Sequence, residues 1–101
     1  MQTLNSIKNK KIKFSNHALI RMNQRGISEK TFPVFQNYGH LTYVKDAMVL
    51  SLDQREKKYI RSDLDDKTFK KIEKQLNTYY VISHDGTVIT AARSYRKPRR
   101  Q

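Results

Sequence analysis

The chain has 101 residues, with 21 Lys or Arg against 9 Asp or Glu and a formal net charge of +12, which is the length of one domain and a charge that favours a polyanionic partner. Cysteine is absent, so disulfides and thiolate metal sites are excluded, and the 3 scattered histidines have no metal-ligand spacing. No apolar stretch approaches the ~20 residues that span a bilayer and the first residues lack the apolar core of a signal peptide, so the expectation is a cytoplasmic protein with no membrane partner.

Residues 1–13 are polar and lysine-rich, with Lys8, Lys10, Lys11 and Lys13 around Ile7 and Ile12, and read as a basic amino-terminal arm. Ser15 or Asn16 can cap a helix over 16–25 whose buried arc is Ala18, Leu19 and Met22, with Gly26 where a left-handed terminating residue is usual. Ser28 can cap a second helix through Phe32 and Phe35 towards Gly39, started late or kinked by Pro33. Residues 41–44, 47–52 and 59–61 then read as three short strands, separated by Lys45-Asp46 and by Asp53-Gln54-Arg55-Glu56. Asp65-Asp66 opens a third amphipathic helix over 65–77, with Phe69, Ile72 and Leu76 inward and Lys70, Lys71 and Lys74 outward. Asp85-Gly86 between two β-rich runs marks a hairpin over 79–92. The order gives an α+β domain over 14–95, two amino-terminal helices and a further helix on a meandering antiparallel sheet of about five strands, followed by a basic tail over 96–101.

The cations are unevenly placed. Residues 1–28 hold six Lys or Arg and no acid, residues 86–101 hold five and no acid, and the stretch between them holds ten against nine. A solubilising charge would be interspersed, whereas two basic ends that the fold can bring to one side suit a polyanion. Nucleic acid leads as partner over an anionic membrane surface, because no segment joins a strong apolar face to a basic one.

In the run from His17 to Arg25, one imidazole and the guanidinium groups of Arg21 and Arg25 recur at four-residue spacing, within an arc of about 80° on a helix. This stripe borders the apolar arc. Cleavage of RNA by its own ribose 2′-hydroxyl requires a base for that hydroxyl, positive charge on the phosphate and an acid for the leaving oxygen, and it requires neither metal nor cofactor. His17 can serve as base or acid near neutral pH, and Arg21 and Arg25 can fork onto phosphate. On the last strand, period-two alternation puts Arg93 and Tyr95 on one face, as phosphate anchor and as hydroxyl or stacking group, and Thr90 on the other. Arg96, Lys97, Arg99 and Arg100 suit guiding RNA inward.

Plainer roles stand beside these. His17 can be a capping or packing residue, and Arg21 and Arg25 can be a solvated face or partners of Glu29. His84 suits an exposed turn, and His40 suits the last carbonyls of the second helix. Solvation accounts for Lys70, Lys71 and Lys74, and core or sheet packing for Tyr43, Tyr79 and Tyr80. Asp63, Asp65 and Asp66 cluster at a helix start, which explains them without a metal.

The segment F-S-N-H-A-L-I-R-M-N-Q-R-G-I-S-E-K at 14–30 resembles the signature of the domain of unknown function 4258 family, an H-A-x-x-R-M-x-x-R-G-I-S run near the start of a small domain. Gly86-Thr87-Val88-Ile89-Thr90 resembles that family's closing hairpin strand, so the likeness covers about 14–95. Such domains are similar to small metal-independent RNases, the barnase-like, colicin-type and RelE-like toxins, with amino-terminal helices on a curved antiparallel sheet. The resemblance implies His17, Arg21 and Thr90 as site positions. The expectation is then an endoribonuclease toxin, as in toxin-antitoxin systems, with RNA as substrate and an acidic antitoxin or immunity protein as partner. The alternatives are a non-catalytic nucleic-acid-binding or regulatory module on the same fold, and an adaptor whose basic patch meets an acidic protein.

Overall fold

In the computed structural model, which describes residues 12–94, a two-residue strand β1 (Lys13–Phe14) leads into helix α1 (Asn16–Gln24). Ser15 makes the transition. Its amide donates to the Val88 carbonyl at 3.0 Å, and its hydroxyl accepts from the amide of Ala18 at 3.0 Å, so one residue both extends the strand pairing and caps the helix. Gly26, at φ +68°, terminates the helix in the left-handed region where a side chain would be strained. The arm expected over 1–13 therefore yields Lys13 to a strand, and residues 1–11 lie outside the described ones.

Helix α2 (Phe32–Tyr38) follows a 3₁₀ turn (Glu29–Thr31) that Ser28 caps. Pro33 falls in the first turn of α2, where a missing amide costs nothing, so it starts the helix without kinking it.

Strands β2 (His40–Val44) and β3 (Ala47–Ser51) come next. Residues 59–61, expected as a strand, instead lie in helix α3 (Gln54–Asp63). The four residues that read as a turn form a capping box, with Asp53 Oδ1 accepting from the amide of Glu56 and Glu56 Oε1 from the amide of Asp53, both at 2.8 Å. That start signal outweighs the β-leaning Tyr59-Ile60 pair, and Ile60 is fully buried. The helix expected over 65–77 is α4 (Asp66–Ile72) running into a 3₁₀ turn (Glu73–Gln75), with Leu76 buried beyond it.

Strands β4 (Thr78–Ser83) and β5 (Thr87–Arg93) form the expected hairpin, with Gly86 at φ +91° in the turn. The sheet order is β1-β5-β4-β3-β2. Strands β2 to β5 make an antiparallel meander, while β1 joins the β5 edge in parallel, so the sheet is mixed and not purely antiparallel. Val81 pairs with Thr90 but Ile82 with Val88, which leaves Ile89 as the extra residue of a β-bulge and lets Val88 and Ala91 both face inward.

The α+β class stands, with four α-helices among the described residues where three were expected. They share one core with one face of the sheet. Ala18, Met22, Phe32, Phe35 and Ile60 meet Met48, Leu50, Tyr80, Ile82, Val88 and Ala91. Tyr80 is central, with the rings of Phe32 and Phe35 edge-on to it at 4.9 and 5.0 Å. The other face carries the cross-strand row Thr42, Val49, Val81 and Thr90. Tyr79 and Tyr80 pack as expected, but Tyr43, near the tip of the β2–β3 hairpin, is 58% exposed. No helix among the described residues is long and apolar enough to cross a membrane.

Candidate active site

Beyond the two residues where β1 pairs, helix α1 runs beside the outer edge of β5 in place of a further strand. An unpaired strand edge exposes carbonyl oxygens, and side chains flanking and ending the helix take them up. The Ser15 hydroxyl donates to the Ile89 carbonyl at 3.4 Å, and Arg25 Nη1 donates to the Ala91 carbonyl at 3.3 Å.

The stripe therefore grades from sheet to solvent. Arg25 is half-buried against β5, Arg21 is half-buried one turn earlier, and His17 is exposed one turn before that. Arg21 Nε donates to His17 Nε2 at 3.4 Å, so the guanidinium and the imidazole face each other across one helical turn. His17 neither caps the helix, a role Ser15 fills, nor packs in the core, and Arg21 and Arg25 take His17 and Ala91 in preference to Glu29. Ile20, three residues on from His17 and 56% exposed, adds an apolar ledge that the sequence reading passed over, although it falls outside the arc of Ala18 and Met22.

Arg93 is half-buried and forks onto two main-chain oxygens, Nη2 to that of Arg25 and Nη1 to that of Lys74, each at 2.8 Å. A cation on the last carbonyls of a helix is favoured by the helix dipole. The structure thus brings Arg93 to Arg25 and not to His17, which lies eight residues, about 12 Å of helix rise, further back. Thr90 sits on the sheet face opposite the helices, so it does not join the stripe. Tyr95, Arg96, Lys97, Arg99 and Arg100 lie outside the described residues.

Elsewhere, His40 Nδ1 meets Glu56 Oε1 at 2.8 Å, not the helix carbonyls expected for it. With Asp53 these side chains place possible ligand atoms within 4.8 Å of one another. Both carboxylates, however, already hold amides at the positive end of α3, a position that favours anions and opposes a cation. Asp53 and Glu56 are a helix cap, against which His40 rests. Asp65 and Asp66 begin α4 as expected, while Asp63 ends α3 and accepts from the Tyr38 hydroxyl at 2.7 Å, a bond that pushes the Tyr38 phenol above its usual range. His84 is exposed in the hairpin turn, and Lys70, Lys71 and Lys74 are exposed on α4 and the turn after it.

Comparison of the chain with family models, with curated proteins and with solved structures gives no significant match.

Proposed function

We propose that the chain is a metal-independent endoribonuclease that cleaves RNA through the ribose 2′-hydroxyl, with His17 moving the proton and Arg21 binding the phosphate. The observation that carries this is the 3.4 Å contact between an exposed imidazole and a guanidinium one turn away, in a segment of the chain free of acids. When an incoming phosphate draws Arg21 onto its oxygens, Nε2 of His17 is released as a base. The imidazole takes the 2′-hydroxyl proton, the 2′ oxygen bonds to phosphorus, and the imidazolium returns the proton to the departing 5′ oxygen. The products are a 2′,3′-cyclic phosphate and a free 5′-hydroxyl. Arg21 stabilises the charge that builds on the phosphate.

Arg25 and Arg93 are positioning residues in this scheme, because their guanidinium groups fix the end of α1 against β5. A basic endoribonuclease of this size, acting on cellular RNA as a toxin, needs an acidic antitoxin or immunity protein to cover its cationic stripe. Expression in bacteria tests this: growth should stop, and His17→Ala should relieve the arrest.

A second reading is a non-catalytic nucleic-acid-binding module. The engagement of Arg93 with two backbone carbonyls favours it, since that removes one phosphate ligand from the expected site. It requires RNA binding without cleavage, barely altered by His17→Ala.

A further inference from the structure

The two edges of the sheet are treated differently. At one, β1 pairs with β5, and beyond it the Ser15 hydroxyl and the Arg25 guanidinium take the Ile89 and Ala91 carbonyls. Among the described residues nothing does the same for β2, the strand at the other edge. Its register with β3 runs out from the two-residue turn Lys45-Asp46, with Val44 opposite Ala47, Thr42 opposite Val49 and His40 opposite Ser51. Residues that flank a two-residue turn exchange both main-chain hydrogen bonds and the pairs alternate from there, so Val44, Thr42 and His40 direct their N–H and C=O groups at β3. Leu41 and Tyr43 direct theirs outward. No described residue bonds to those four groups.

A bare strand edge is a template for another strand, which folded proteins blunt with lysine, proline or a bulge. The run His40-Leu41-Thr42-Tyr43-Val44 has none of the three, and its last three residues are exposed, Val44 to 48%. Charge selects the occupant. The strand carries no Lys, Arg, Asp or Glu, and Lys45 and Asp46 at its tip cancel, in a chain of net charge +12. A second copy is repelled wherever cations face it, and along this edge none do.

We infer that β2 pairs antiparallel with β2 of a second copy about a two-fold axis through Thr42, which joins the two sheets into one. This register sets Leu41 of each copy opposite Tyr43 of the other, and the outward groups of both strands are consumed in four hydrogen bonds. Any other two-fold centre leaves Leu41 or Tyr43 facing a residue outside the strand. On the helix side, the exposed Tyr43 ring comes beside Leu41 of the second copy, which packs on the core, and on the other side Thr42 meets its own counterpart. The Lys45 end of each strand arrives at the end where Glu56 of the other copy holds His40. The His17 stripes stay open, because α1 lies along β5 at the far edge and seven strand spacings, about 33 Å, separate the two β5 strands. The pairing is therefore independent of the reaction proposed for His17.

Sedimentation equilibrium of the intact chain at about 0.15 M salt, with amide hydrogen exchange on the same samples, tests the pairing. The mass should rise with concentration from 12.0 kDa towards twice that value. The amides of Leu41 and Tyr43 should gain protection as it does, while those of Thr42 and Val44 are protected at every concentration. Tyr43→Pro removes one outward donor per copy, two bonds per dimer, and spares the ladder to β3, so association should weaken by about 5- to 150-fold. Thr42→Lys and Thr42→Glu each set a like pair on the axis and should weaken it too, whereas an equal mixture of the two should associate more tightly than either alone. The inference is overturned if the chain stays a single copy up to about 1 mM, or if a dimer forms in which Leu41 and Tyr43 exchange as freely as in the monomer. A mixture of the Thr42 variants no tighter than its components would also overturn it, as would an edge that takes up an added strand peptide while the chain itself stays single.

Discussion

Arg93 donates from Nη2 to the main-chain oxygen of Arg25 at 2.8 Å, and Arg25 donates from Nη1 back to the main-chain oxygen of Ala91 at 3.3 Å, two residues before Arg93. This reciprocal clamp fixes the carboxyl end of α1 to the last strand. Four cationic or titratable side chains therefore separate into two roles, with Arg25 and Arg93 holding the helix and His17 and Arg21 presented by it.

Removing the clamp should cost stability. Arg93→Ala loses two charge-assisted bonds and is expected to destabilise the fold by about 1–3 kcal/mol, with Tm falling by about 4–8 °C per kcal/mol. Arg93→Lys should restore only part, because one ammonium cannot fork onto the carbonyls of Arg25 and Lys74 as a guanidinium does. Thermal melting separates this from a purely catalytic arginine, whose loss would leave Tm unchanged.

Tyr80 gives a test of opposite sign. Its hydroxyl is buried with no hydrogen-bond partner among the described residues, and desolvation by burial pushes its phenol above the usual range. Tyr80→Phe removes the orphaned oxygen and keeps the ring that Phe32 and Phe35 pack against, so stability should hold or rise by up to about 1 kcal/mol. Tyr80→Ala should cost about 3–5 kcal/mol. Urea unfolding of the two variants checks both values.

The hairpin turn should weaken in acid. The Ser83 hydroxyl, and after it Thr87, hold the Asp85 carboxyl below its usual range. A carboxyl depressed in the folded state favours folding fully above the unfolded value, about pH 4, and loses that contribution as pH falls through the folded value. Asp85→Asn should therefore flatten the acid limb of a Tm–pH curve below about pH 4 and leave the limb above about pH 8 unchanged.

Local signals were legible in the sequence where the chain supplies its own partner. Ser15, Gly26 and the Asp85-Gly86 turn act over three or four residues, and they set α1 and the β4–β5 hairpin. Helix α3 was less legible because Tyr59-Ile60-Arg61 leans towards strand, while the start signal that decides for helix, the Asp53–Glu56 capping box, lies a turn earlier. Arg93 was misplaced for a different reason. Its partner Arg25 is 68 residues away in sequence, and nothing in the alternation of a strand says whether an inward arginine meets phosphate or a helix end. A comparable separation in sequence hid β1, whose two residues are a strand only because β5 stands beside them. The proximity of His17 and Arg21 was legible because it spans one helical turn.

The most direct measurement is the fate of defined RNA incubated with the protein in excess chelator, with the ends of any fragments identified. The intact chain is expected to yield fragments ending in a 2′,3′-cyclic phosphate, and His17→Ala to lower the rate by about 10²–10⁴-fold with an unchanged Tm, since that side chain is exposed and outside the core. RNA that stays whole at high protein concentration, or cleavage that proceeds equally in the His17→Ala variant, would contradict the assignment.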